Sequence, residues 1–263
     1  MADPSMLHVA RIPAGEVAVG ADDGEEDERP LHKAYLDEFC IGTYPVTNGE
    51  YAQFVTETGH PSPVIRALPL MVSGEHEAEF RSLAEKYFWK NGTPPEGRDR
   101  HPVTLVGFED ALSYCAWLAS KTAKPVRLPT EAEWEKAARG GLESKPYPWG
   151  DTLDSACAHF LPPAGLKAER GTAEVGSYPP NGFELFDMSG NVWEWVSDWY
   201  APNYYARAQY VNPQGPDSGL MRIVRGGAWV NTEGRYLRCA YRHKVPPDSY
   251  AYSIGFRIAY SAK

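Results

Sequence analysis

The chain has 263 residues, 43% of them apolar and 13% aromatic, enough to bury a sizeable core, and its formal net charge is −9. That charge argues against nonspecific binding to nucleic acid or to an anionic membrane, because the electrostatic contribution is repulsive unless a basic patch reverses it, and none stands out. No run approaches the roughly 18 apolar residues of a membrane span, and residues 1–20 lack a basic stretch followed by an apolar core, so a cytoplasmic location is expected.

The 24 glycines and 23 prolines are spread through the chain instead of collecting in one linker, which predicts many short elements joined by ordered turns. In chain order, residues 8–19 and 34–41 are β-branched or aromatic and turn-bounded, as strands are. The acidic run over residues 22–28 lacks the alternating ligands and downstream Glu of a calcium loop and reads as a solvated surface loop. A helix is possible within residues 75–89, in a segment that reads as an insertion. Residues 108–121 read as a helix, since Ala111, Tyr114, Cys115 and Leu118 recur at helical spacing behind an acidic first turn. Residues 130–139 do so as well, with Thr130 a good N-cap after Pro129 and Gly140-Gly141 ending the run. Residues 222–229, 236–242 and 254–260 read as further strands.

Cys40, Cys115, Cys157 and Cys239 form no C-x-x-C pair, so four reduced core thiols are expected instead of a metal or redox motif. The histidines form neither H-x-x-x-H nor H-x-x-E-H, which speaks against a metal site made from local His spacing.

Several collinear motifs carry more information than composition does. They are Ile12-Pro-Ala-Gly-Glu-Val17, Pro45-Val-Thr-Asn48, Arg127-Leu-Pro-Thr-Glu-Ala-Glu-Trp-Glu135, Tyr147-Pro-Trp-Gly-Asp151, the run Asn181-Gly-Phe-Glu-Leu-Phe-Asp-Met-Ser-Gly-Asn-Val-Trp-Glu-Trp-Val-Ser-Asp-Trp-Tyr200, Arg225-Gly-Gly-Ala-Trp229 and Gly255-Phe-Arg257. Together they resemble the formylglycine-generating enzyme (sulfatase-modifying factor) family. The resemblance implies a single domain over residues 1–263 with an α+β, C-type-lectin-like fold, low in regular structure, with two or three helices and short strands.

Active members of that family carry a cysteine pair after a Gly-Gly-Ser motif. The pair binds copper(I), which as a soft ion prefers thiolate, and oxidises a substrate cysteine within a Cys-x-Pro-x-Arg segment. Here the motif serine is Ala228, the first cysteine position is Asn231 and the second falls near Tyr236, so no copper is expected. Cys239 matches a position inside a following strand and does not restore the pair. The iron-dependent sulfoxide synthases of the same family need a helical domain with a His-x-x-x-His-x-Glu site, and that motif is absent from this sequence.

A third branch uses the fold for binding, as in variable proteins diversified by retroelements in the segment after Gly-Gly-x-Trp. By that resemblance the ligand-binding residues are Trp229, Asn231, Tyr236, Tyr241, His243, Tyr250 and Tyr252, types suited to recognition because rigid amphipathic rings bury area at low entropic cost. Glu233 and Lys244 would be fixed positions in such a segment. The partner would be a protein or a small molecule. The alternative is an oxidoreductase acting on a cysteine- or sulfur-containing substrate through a different site. The family's structural calcium maps onto the Asp187 and Glu194 side chains and the Gly190 and Val192 carbonyls, a donor set that suits a hard cation. A second family calcium site, where Ala158 and His159 stand here, does not carry over.

Overall fold

The computed structural model describes residues 6–66, 75–161 and 171–262. Its elements are β1 (Val9–Ile12), β2 (Gly15–Val19), β3 (His32–Leu36), β4 (Phe39–Gly42), α1 (Asn48–Thr58), α2 (Glu75–Ala84), α3 (Phe108–Thr122) and α4 (Glu131–Arg139), then β5 (Trp193–Trp199), β6 (Arg222–Arg225), β7 (His243–Val245), β8 (Ile254–Phe256) and β9 (Ala259–Ser261). Among the described residues no helix is long and apolar enough to cross a membrane.

Local chemistry explains where the helices begin and end. The Thr130 hydroxyl accepts the Glu133 amide while the Glu133 carboxylate accepts the Thr130 amide, and Gly140, at φ 58°, ends α4 in the left-handed conformation. Thr47 and Glu50 build the same reciprocal cap on α1. That helix lies just past the Pro45 motif and was not foreseen, so the described residues contain four α-helices where two or three were expected. The helix expected within residues 75–89 is α2, which gives way to a tight turn at Glu85–Tyr87.

Among the described residues three sheets form, in the orders β1-β4-β9, β2-β3 and β7-β6-β5-β8. The longest strand, β5, is central to the third, antiparallel to β6 and parallel to β8. Because alternate side chains of a strand face opposite ways, Trp193 and Trp195 enter the core that contains Phe108 and Tyr114 of α3, while Val196 enters the core beneath Trp134 and Ala137 of α4.

Several strand expectations need correction. Residues 8–19 and 34–41 each break into two strands of different sheets, at Pro13-Ala14 and Asp37-Glu38, and residues 254–260 divide into β8 and β9. The strand expected over 222–229 stops at Arg225, because Gly226 and Gly227 have φ of 95° and 76° and turn the chain. Residues 236–242 are not a strand: Gly234–Leu237 is a helical turn, the Cys239 and Ala240 carbonyls accept from the Arg225 guanidinium, and pairing resumes only at His243. Nor is the acidic run wholly solvated, since Glu28 is fully buried and takes both outer nitrogens of Arg238. All four cysteines are free, but Cys157 is only half-buried.

A charge cluster ties α4 to the C-terminal segment. Arg225 donates to Glu131 at 3.0 Å and Glu135 at 2.6 Å; Arg242 takes both Glu131 oxygens at 2.8 and 2.9 Å; Arg139 takes the other Glu135 oxygen. Burial alone would raise the Glu135 carboxyl, but Arg139 and Arg225 outweigh it and hold it below its ordinary value. Arg225→Met should therefore leave buried carboxylates short of a partner and lower the unfolding free energy by about 3–5 kcal/mol in urea denaturation. A loss below about 1 kcal/mol would mean that the cluster is dispensable.

Candidate functional site

The third sheet opens onto a groove of about 1180 Å³. Trp193, at the start of β5, lines it together with Tyr241, His243, Lys244 and Val245. Glu25, Glu26 and Asp27 supply an acidic stretch of its wall, with Asp27 3.8 Å from the Lys244 ammonium, and Asp27 is held because Arg242 donates to its carbonyl at 2.8 Å and Tyr200 to its carboxylate at 2.7 Å. Lys244 donates in turn to the Tyr200 hydroxyl at 3.0 Å. The groove thus has aromatic rings at its base and ionic groups at its rim.

Ring packing fixes the base. His243 stacks on Trp193 with centroids 4.9 Å apart, Tyr241 lies 6.0 Å from Trp193, and Tyr236 meets Tyr241 edge-on at 5.1 Å. Burial pushes the His243 pKa down, and the Lys244 charge adds to this, so both favour the neutral ring. Burial likewise pushes the Tyr241 phenol up to about 12.

The seven ligand-binding residues expected from the sequence do not form one surface. Tyr241 and His243 line the groove, and Tyr236 supports Tyr241 from behind. Trp229 is 4% exposed and packs with Tyr252 beside Tyr87, under the Lys86 ammonium. Tyr250 lies beneath the Arg66 guanidinium. Asn231 serves its own turn, accepting the Ala228 amide at 2.7 Å. Sequence reasoning missed Trp193, Tyr200 and the acidic wall. The signal for Trp193 was the alternation of Trp193-Glu-Trp-Val196, which marks a strand whose tryptophans share one face.

The copper positions offer no thiolate: Asn231 is engaged in its turn, Tyr236 is packed on Tyr241, and Cys239 is buried, its thiol pushed up to about 12. The expected calcium ligands are closer to a working set. Asp187, at φ 56°, is buried and accepts the Gly176 amide at 2.8 Å; among the described residues it forms no ion pair, and burial pushes its carboxyl up to about 6, with Glu194 adding to the effect against the Gly176 bond and the Arg257 charge. Glu194 is already gripped by Arg257 through both oxygens at 2.6 Å and by the Trp134 indole at 2.7 Å. A divalent cation would fit here because burial leaves the Asp187 carboxylate only partly compensated, with Asp187 and the two carbonyls as its ligands. At the second family position His159 bonds the Gly171 carbonyl and the Tyr178 hydroxyl.

Residues 2–262 match the family described as the sulfatase-modifying factor enzyme 1-like domain. The chain belongs to that family. Its fold is accordingly the C-type-lectin-like α+β fold that the motifs implied. Within the family it is 39% identical to the formylglycine-generating enzyme of Streptomyces coelicolor, over 96% of this chain and 88% of that protein. It is 33% identical to a Mus musculus protein named inactive C-alpha-formylglycine-generating enzyme 2, over 99% and 87% of the two chains. The solved structure of PvdO from Pseudomonas aeruginosa superposes with a TM-score of 0.77 at 28% identity, covering 96% of this chain and 94% of that one. A protein named an enzyme and one named inactive are thus both similar to this chain, and the fold alone does not assign it an activity.

The state of His243 can be measured directly. Its imidazole should titrate below the ordinary histidine value in an NMR pH series, and Lys244→Gln should move it part of the way back up; an unshifted titration would place the ring in solvent.

Proposed function

We propose that the protein is a non-classical member of the sulfatase-modifying factor family that binds a ligand in the groove between Trp193, His243 and the acidic wall. The observation that carries this reading is the pairing of a large aromatic-floored groove with residues at the copper positions that cannot hold copper(I). Groove, ring stack and ionic rim suit recognition of a protein segment or small molecule. An oxidoreductase working on a sulfur-containing substrate would need a redox centre assembled elsewhere. If the binding segment is retroelement-diversified, a reverse transcriptase gene and a template repeat should lie beside its gene.

Two measurements test the reading. Incubated with copper(I), air and a Cys-x-Pro-x-Arg peptide, the protein should leave the peptide cysteine unconverted by mass spectrometry. Ligands found by thermal-shift screening of a small-molecule and peptide collection should lose binding in Tyr241→Ala and His243→Ala. Both residues are only half-buried, so each variant should keep its melting behaviour within about 1–2 kcal/mol of the parent. Multiple-turnover conversion to formylglycine, or hits indifferent to both variants, would overturn it.

We further propose that a calcium ion is held at Asp187 and the Gly190 and Val192 carbonyls beside Glu194. A ligand bound only by the native state stabilises it by mass action, so chelation should lower the melting temperature and Asp187→Asn should abolish that response. Asp187 is the better variant, because Glu194→Ala would also strand the buried Arg257. A melting curve indifferent to chelator would remove the ion from the account.

A further inference from the structure

A second pocket, of about 210 Å³, lies between β2, α4 and the turn that follows α4. Its apolar lining comes from Pro13, Ala14, Val17, Leu142 and Phe183, and Leu142 is exposed at its mouth. At this size it falls below the roughly 300 Å³ at which drug-sized pockets begin, so an occupant would have to be small.

The pocket lining also contains Lys136, whose ammonium is held by carbonyls and, among the described residues, by no carboxylate. Lys136 is only 7% exposed, and its ammonium donates to the Pro13 and Gly15 carbonyls at 2.8 and 2.9 Å. Among the described residues it forms no ion pair, and burial alone pushes it below the ordinary lysine value. The other charged groups around the pocket are differently placed. Arg139 is committed to Glu135, Glu16 takes Lys33 and the Tyr210 hydroxyl, and Glu143 is exposed on the turn. Two carbonyls use two of the three ammonium N–H groups, and one remains for a further acceptor.

We propose that this pocket binds a small hydrophobic carboxylate, its head pairing with Lys136 and its apolar tail lying against Val17, Leu142 and Phe183. The carboxylate supplies the missing counter-charge in a half-desolvated site, where a charge-assisted hydrogen bond is stronger than at an open surface. The tail covers apolar surface that the fold leaves in contact with water. Neither step depends on the groove or on what the groove binds.

The probe is octanoate, titrated calorimetrically into the full chain beside uncharged 1-octanol. Octanoate should bind saturably and about tenfold or more tighter than 1-octanol, and Lys136→Met, which keeps the apolar stem, should erase that difference. A measurement on the unaltered protein guards against a variant that fails to fold: octanoate should protect Lys136 from amine acetylation, read by mass spectrometry, while the exposed Lys33 stays reactive. Non-saturable uptake, equal affinity for acid and alcohol, or acetylation of Lys136 unaffected by octanoate would each overturn the proposal. Octanoate binding that is lost in Tyr241→Ala would do so too, by placing the ligand in the groove.

Discussion

The contact of Arg225 with Glu131 and Glu135 of α4 is the constraint on which most of the molecule depends. All three groups are out of water, and their burial is tolerable because guanidinium and carboxylates lie within hydrogen-bonding distance, with Arg139 and Arg242 sharing the load. From that cluster the rest is positioned outward. Arg242 shares Glu131 and reaches on to the Asp27 carbonyl, so the same network that seats α4 under the sheet also sets the acidic wall of the groove.

Much of this was legible in the sequence, for identifiable reasons. α3 and α4 were readable because their acidic first turns and apolar periodicity are local, as are the Thr130 cap and glycine stop of α4. The strands were not, because their limits are set by partners far away in the chain. Residues 8–19 look like one strand until Pro13-Ala14 hands the chain from β4 to β3, and residues 236–242 look like a strand although their carbonyls serve a buried arginine. The same holds for the site. Tyr241 and His243 could be named from the resemblance, but the acidic stretch of wall comes from a segment about 200 residues earlier that composition alone marks as solvent-facing.

The family framework separates what the fold conserves physically from what a member can do with it. Glu194, Arg257 and Trp134 form a buried, fully committed set that holds two halves of the sheet system together. Asn231 and Tyr236 lie nearby on a turn whose backbone is fixed by Gly227, where a Cβ would come within 2.8 Å of the Tyr236 carbonyl. Both side chains have structural work of their own here, Asn231 accepting the Ala228 amide and Tyr236 packing on Tyr241.

The pairing of β9 with β4 has a consequence for how the chain must fold. Ala259–Ser261 lie against Phe39–Ile41, so the first sheet takes its edge strand from a segment about 220 residues further along the chain. β8 likewise joins β5 from the far end, and Arg257 between them carries the charge that Glu194 needs. Pairings this far apart in sequence cost loop-closure entropy before they reward it, so folding that waits on them is expected to be slower than the closing of the local helices α3 and α4.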